Sequence, residues 1–296
     1  MMEMIDMFQG TMTAMITPFA GDAIDGAKLR EQVKRQIDAG INGLVPCGTT
    51  GESPTLSHDE HKQVVELTIE AAGGAVPVIA GSGSNSTREA IELTRHAKAA
   101  GATASLQVNP YYNKPTQEGL YRHFMAIADA VELPIVLYNI PGRSAVALTG
   151  DTIVRLAAHD NIVAIKEATG SLDIASDIAT RCDLTILSGD DSLTLPLMSI
   201  GGKGVISVVS NLLPGEVREM TDAGLAGDYE KAKHIHLNLF PLFKGMLSMA
   251  TNPIPVKTAM KLVGLDTGDL RLPMCEMDAG LVDQLAGMLR ERGILG

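Results

Sequence analysis

The sequence predicts an α/β protein of the (β/α)8 TIM-barrel class carrying a small C-terminal helical domain. Three observations lead there. Eight short apolar or β-branched runs recur along the chain, at 11–17, 43–47, 76–80, 103–108, 135–139, 162–166, 184–187 and 204–209. Segments of helical period lie between them. Strand starts fall roughly 20 to 35 residues apart, the length of a βα unit, and eight such units suit a closed barrel better than an open doubly wound sheet.

Taken in order, the first strand is followed by Leu29, Val33 and Ile37 at helical spacing, closed by Gly40. After 43–47 come Val64, Val65, Leu67 and Thr68, closed by Gly73. Ile91, Leu93, Thr94 and Ala97, closed by Gly101, follow the third strand, and Leu120, Phe124, Ile127 and Ala128 follow the fourth. Glycine after the last periodic residue is a helix stop because it accepts the left-handed conformation there. No Gly-x-Gly-x-x-Gly follows a strand, which counts against a dinucleotide fold. Beyond Asp228 only helical patterns remain, at 229–249, 256–263 and 277–292, so the expected division is a barrel over 1–228 and a helical domain over 229–296. Asn252-Pro253-Ile254-Pro255 reads as a rigid structural break between two of these helices.

Composition narrows the function. With 296 residues, 45% hydrophobic and 20% charged, the chain is long enough for a full core. Its net charge of −11 disfavours nucleic acid or an anionic membrane as partner and favours a small molecule. Cys47, Cys182 and Cys275 are odd in number and outside metal-ligand spacing, which fits packing residues in a reducing compartment. The opening Met1-Met2-Glu3-Met4-Ile5-Asp6 carries acids where a secretory leader needs bases, so a cytoplasmic protein is expected.

In barrels of this class the chemistry sits where strands end. Lys166 ends the apolar run Ile162-Val163-Ala164-Ile165. A lysine there is either a strand-end residue with its head in water or a buried amine; burial lowers a lysine pKa and yields a neutral nucleophile able to attack a carbonyl. The other strand ends supply Gly48-Thr49-Thr50-Gly51-Glu52-Ser53, Gly81 to Asn85, Asn109-Pro110-Tyr111-Tyr112-Asn113, Tyr138 to Arg143, Ser188 to Asp191, and Ile206-Ser207. The Gly48–Gly51 turn offers N–H groups and hydroxyls for a carboxylate, a weak signal alone. Gly201-Gly202-Lys203-Gly204 precedes the eighth strand, at the wrong end for a phosphate site. His58 and His61 lack a third metal ligand and read alone as a solvated helix face; His234 and His236, two apart, do not face each other.

Together, Gly48-Thr49-Thr50-Gly51-Glu52, Tyr138-Asn139-Ile140-Pro141-x-Arg143 and Ile165-Lys166-Glu167-Ala168 resemble the dihydrodipicolinate synthase / N-acetylneuraminate lyase family of class I aldolases, over essentially the whole chain. Asn109-Pro110-Tyr111-Tyr112-Asn113-Lys114-Pro115 and Arg143 match its synthase branch rather than the sialate or keto-deoxy-sugar lyases, which remain the alternative. The resemblance implies condensation of pyruvate with L-aspartate 4-semialdehyde in lysine and diaminopimelate biosynthesis, with no cofactor and no metal. Lys166 would form the Schiff base, Tyr138 would move protons, and Thr49 and Tyr112 would complete the relay, Tyr112 coming from a neighbouring subunit of a dimer, commonly within a tetramer. Thr50 and Ile206 would hold pyruvate, and Arg143 the semialdehyde carboxylate. It further implies inhibition by L-lysine at Ser53, Pro54, His58, His61, Asn85, Glu89 and Tyr111.

Overall fold

The computed structural model describes residues 7–296; the acidic stretch 1–6, read above as unlike a leader, lies outside the described residues. Eight parallel strands form one sheet, Gly10–Ala14, Gly43–Val45, Ile79–Gly81, Ala104–Val108, Ile135–Asn139, Ile162–Glu167, Thr185–Ser188 and Gly204–Ser207, each paired to its neighbours in chain order with the first beside the eighth. The ring closes between the second and third strands through a single parallel bridge, Leu44 to Val78. That seam is flanked by Pro46 and Pro77, which accept from Gly81 and Leu44 at 2.9 Å each but have no N–H to give in return.

Side chains alternate as the strand period demands. Met12, Ile79, Leu106, Val136, Tyr138, Ala164, Leu187 and Ile206 face into the barrel and form one cluster. Ile135, Leu137, Ile165 and Ile186 face out, against Leu120, Phe124, Ile153 and Ile178 of the surrounding helices. Lys166, two residues beyond inward-facing Ala164, therefore points inward.

The four periodic segments named above are the helices Gly26–Asp38, His58–Ala72, Thr87–Ala100 and Gln117–Ala130. Gly73 and Gly101 cap two of them in the left-handed region, and Gly40 stands just past the first at φ +77. Asp25, Ser57, Ser86, Thr116, Thr149 and Ser171 each cap a helix N-terminus by accepting an N–H three residues on. Such caps satisfy donors that have no partner inside the helix.

Four strand boundaries move by two residues or more, the second strand stopping at Val45 before Pro46. The eighth strand stops at Ser207, because Val208 and Val209 donate to the buried Asp191 carboxylate at 3.0 and 3.1 Å and turn into a 3-10 segment instead of continuing the ladder. The first stops at Ala14, beyond which the Ile16 N–H turns to Asn211 Oδ1 at 3.1 Å. The third begins only at Ile79, its earlier residues lying at the proline-flanked seam. A small antiparallel hairpin, Phe19–Ala20 with Ala23–Ile24, was not expected at all.

After Asp228 the chain forms the helices Tyr229–Ser248, Ile254–Leu262 and Ala279–Glu291. They bury Leu239, Phe243, Val256, Met260 and Leu285 in one cluster with Ile16, Val205 and Val217 of the barrel. Among the described residues no helix is long and apolar enough to cross a membrane.

Arg271 ties this region to the second βα unit: its guanidinium grips both oxygens of Glu60 at 2.9 and 2.6 Å. The fork holds the Glu60 carboxyl down at about 2, against an ordinary value of 4.5. A carboxyl with a depressed folded pKa contributes stability that is complete above its unfolded value and is lost as pH falls toward the folded one. Acidification from about pH 4.5 to 2 should therefore remove a contribution of about 1–2 kcal/mol, discounted for partial exposure. Denaturant midpoints of Glu60→Gln and the unsubstituted protein should converge across that window, and a constant gap would remove the assignment.

Candidate active site

The candidate residues gather at the C-terminal ends of the strands. Lys166 and Tyr138 are cross-strand partners in register. Both are buried, and the Lys166 Nζ lies 4.3 Å from the centroid of the Tyr138 ring. An amine in that position is shielded by the ring yet faces the barrel mouth. The side chain is thus buried and is not a strand-end lysine with its head in water. Ile206 is fully buried in the same inward cluster as Tyr138.

Three carboxyls stand at or just after the ends of the sixth and seventh strands. Glu167 is buried and accepts from the Thr169 N–H at 2.7 Å and Asn139 Nδ2 at 3.4 Å; burial pushes its carboxyl above the ordinary range, against the pull of these bonds. Burial also raises Asp190, while the positive charges of Lys166 and Lys244 pull it back down. Asp191 beside it is engaged by Ser207 Oγ at 2.5 Å and so serves the loop after the eighth strand.

The turn after the second strand is tight. Gly51 and Ser53 N–H groups return to the Gly48 carbonyl at 3.2 and 3.3 Å, and Glu52 N–H to that of Thr49 at 3.1 Å. Gly81 is required beside it, since a Cβ there would meet the Cys47 carbonyl oxygen at 2.3 Å. Thr50 is buried, and its Oγ1 accepts from Asn252 Nδ2 at 3.0 Å; Thr49 is partly exposed. Arg143 is exposed at the rim and donates to the Asn252 carbonyl at 3.3 Å. Asn252, read from sequence as part of a structural break, thus enters the site from about two hundred residues downstream. Nothing in its local spacing signals this.

Among the described residues five other than glycine adopt positive φ, namely Cys47, Glu52, Tyr112, Lys114 and Ala145, and all five stand in or beside loops at this end of the barrel. Such conformations cost about 1–3 kcal/mol each and gather at functional sites. Tyr112, at φ 73, is 90% exposed and turned out from its own barrel. Cys47 is buried, and burial drives its thiol upward, so it is a packing residue and not a nucleophile.

One continuous cavity of about 380 Å³ joins Thr49, Tyr138 and Arg143 to Ser53, Pro54, His58, His61, Glu89 and Tyr111. Asn85 borders it and donates from Nδ2 to the Tyr111 carbonyl at 3.1 Å. His58 and His61 do not share a solvated face. His58 is exposed and meets Glu89 at 2.5 Å, whereas His61 is buried and donates from Nε2 to the Gly81 carbonyl at 2.7 Å. Ser84, chiefly, and His58 hold the Glu89 carboxyl below its usual range, keeping it anionic. A second groove, of about 370 Å³, is lined by Val154, Ile162, Arg181 and Leu184 at the opposite end of the strands, remote from this chemistry. Among the described residues no group of three or more His, Cys, Asp or Glu stands together as a metal site.

The dihydrodipicolinate synthetase family model matches residues 7–292. The 4-hydroxy-tetrahydrodipicolinate synthase of Geobacter sulfurreducens is 54% identical over 287 residues, 96% of this chain and 99% of its own. The dihydrodipicolinate synthase of Acinetobacter baumannii, solved in complex with pyruvate, superposes with a TM-score of 0.94 at 45% identity, over 97% of this chain and 99% of that one. The enzyme of Cyanidioschyzon merolae, solved with lysine bound, does so at 0.94 and 40% identity, over 98% and 99%. With its barrel, its inward lysine and a match along nearly its whole length, the chain belongs to the dihydrodipicolinate synthetase family.

Proposed function

We propose that this chain condenses pyruvate with L-aspartate 4-semialdehyde to 4-hydroxy-tetrahydrodipicolinate, through a Schiff base on Lys166. The observation that carries the reading is the buried Lys166 amine facing the barrel mouth 4.3 Å from the Tyr138 ring centroid, in a chain of this family. The amine adds to the pyruvate ketone, and loss of water gives the imine. Removal of a methyl proton gives the enamine, whose carbon attacks the aldehyde. The amino group of the semialdehyde then displaces the lysine from the imine carbon, closing the ring and freeing Lys166 for another turn.

Tyr138 exchanges the protons, with Thr49 beside it and Tyr112 supplied by a second copy, consistent with the outward turn of Tyr112 in its own chain. A lone phenol, of ordinary pKa near 10, is a poor base at neutral pH, and a hydrogen-bonded relay corrects this. Thr50 and Ile206 receive pyruvate. Arg143 at the rim takes the semialdehyde carboxylate, for which its planar fork is suited. The working unit is a homo-oligomer of at least two copies, tetrameric in its full assembly, placed in the cytoplasm. L-lysine inhibits by binding Ser53, Pro54, His58, His61, Asn85, Glu89 and Tyr111, with its ammonium drawn to the anionic Glu89. The cavity that Ser53, Pro54, His58, His61, Glu89 and Tyr111 line together with Thr49, Tyr138 and Arg143 supports that reading.

Turnover of pyruvate with the semialdehyde, coupled to the next reductase and repeated with L-lysine, tests both parts. Activity is expected, and lysine should suppress it. In the His58→Ala, Glu89→Ala double variant the inhibitory lysine concentration should rise at least about 10-fold, the loss of one charge-assisted contact. Retained inhibition would refute the regulatory site. Absence of turnover, with pyruvate and borohydride still labelling Lys166, would point to a different aldehyde.

A further inference from the structure

A second buried lysine takes no part in the reaction above. Lys257, on the helix Ile254–Leu262, is 0% exposed. Its Nζ donates to Glu52 Oε1 at 2.7 Å, to the Thr17 carbonyl at 2.9 Å and to the Asp269 carbonyl at 2.6 Å, and lies 4.4 Å from the Phe19 ring centroid. All three ammonium protons are thereby placed. Glu52 is equally buried, and its other oxygen takes the Arg271 N–H at 3.2 Å.

Glu52 is an unusual choice for its position. It sits in the left-handed region at φ 54, ψ 34, next to Gly51 and two residues past Thr50. That conformation favours glycine, so a glutamate there is retained for its side chain. A buried ion pair is weak evidence of stabilisation, since apolar replacements often do as well. What this pair does uniquely is fasten a loop. Thr17 Oγ1 binds the Gly51 carbonyl at 2.7 Å and Asn252 Nδ2 binds Thr50 at 3.0 Å, so Thr50, Gly51 and Glu52 are each held by a separate bond from outside the loop. From the C-terminal segment come three bonds to the loop, those of Asn252, Lys257 and the Arg271 N–H.

We propose that Lys257, acting through Glu52, is a positioning residue for the Thr49-Thr50 loop that receives the pyruvate carboxylate. This rests on the function proposed above and adds to it the group that sets the geometry of that subsite. Without Lys257 the buried Glu52 carboxylate loses its counter-charge and keeps only the Arg271 N–H; it moves toward water and carries the loop with it, and its charge then opposes an incoming carboxylate. The semialdehyde carboxylate, taken by Arg143 on another loop, is spared. The signature is a split between the two substrates.

The test uses the full chain with Lys257→Met, Glu52→Gln and the two combined. The readouts are the KM for each substrate and the pyruvate concentration giving half-maximal borohydride labelling of Lys166. Lys257→Met should raise both pyruvate values about 10- to 100-fold, the scale of a misplaced binding group. The semialdehyde KM should change less than about 3-fold, as expected where one subsite alone is disturbed. The double variant should be no worse than the worse single one, because both changes act on one pair. Glu52→Gln is nearly isosteric, keeps an acceptor for Arg271 and decides the matter if Lys257→Met does not fold. Arg292→Met, which breaks a remote pair to Glu216 of 2.6 Å, is the destabilised control and should leave both substrates unaffected. Folded variants with unchanged pyruvate values, an equal rise for both substrates, or an additive double variant would overturn the proposal. Failure of the unsubstituted protein to be labelled would instead overturn the proposed function, a result visible before any variant is made.

Discussion

Replacing Lys166 with alanine should lower kcat by at least about 10³-fold, the scale on which loss of a covalent nucleophile is felt, and should abolish pyruvate-dependent borohydride labelling. The barrel should survive. The side chain is buried at a strand end, and the inward cluster beneath it, Ala164, Leu187 and Ile206 among others, is untouched by the change. Lys166→Arg sharpens the expectation, since a guanidinium keeps a long basic side chain yet cannot form the imine. Both variants should be inactive while keeping the circular dichroism and melting profile of the parent. Substantial turnover in either, with a correctly folded protein, would mean that another amine or another chemistry carries the reaction.

Tyr138→Phe should lower kcat by about 10²- to 10³-fold, the usual worth of a positioned acid–base group. Pyruvate KM should move little. The substitution keeps the ring, and with it the burial of Tyr138 and the shield over Lys166 Nζ, so the loss isolates the hydroxyl. Imine formation, followed by trapping rate at saturating pyruvate, should slow in parallel with turnover. A variant that trapped pyruvate and turned over at parental rates would remove Tyr138 from the proton path and leave it a packing residue.

Much of this molecule is written in local pattern. The strands Ile135–Asn139 and Ile162–Glu167 follow from short apolar runs, and the four early helices from a period near four, three of them closed by glycine. The hairpin at Phe19–Ala20 escapes because two-residue strands have no period to detect. The end of the eighth strand escapes because Asp191 competes for its N–H groups from another loop. Asn252 and Lys257 escape for a stronger reason. Each acts on a residue more than two hundred positions away, and Lys257 stands in a helix whose neighbours are apolar, where a lysine ordinarily reads as a solvated face. Their meaning depends on how the chain returns across the barrel mouth, which no window of sequence contains.

A sheet rolled into a ring has no free edge, but this ring has an unequal weld. Where the second strand meets the third, two prolines have no N–H to contribute and a single bridge completes the circle. Any excursion that splits the barrel into an open sheet is easiest there, as local opening follows the least-bonded path. The Gly48–Glu52 turn rises directly from that weld. A ligand held by the turn therefore braces the circle as well as filling the site, and by mass action whatever binds the closed form tightens the closure itself. The barrel's weakest seam and the loop proposed to hold pyruvate are one mechanical element.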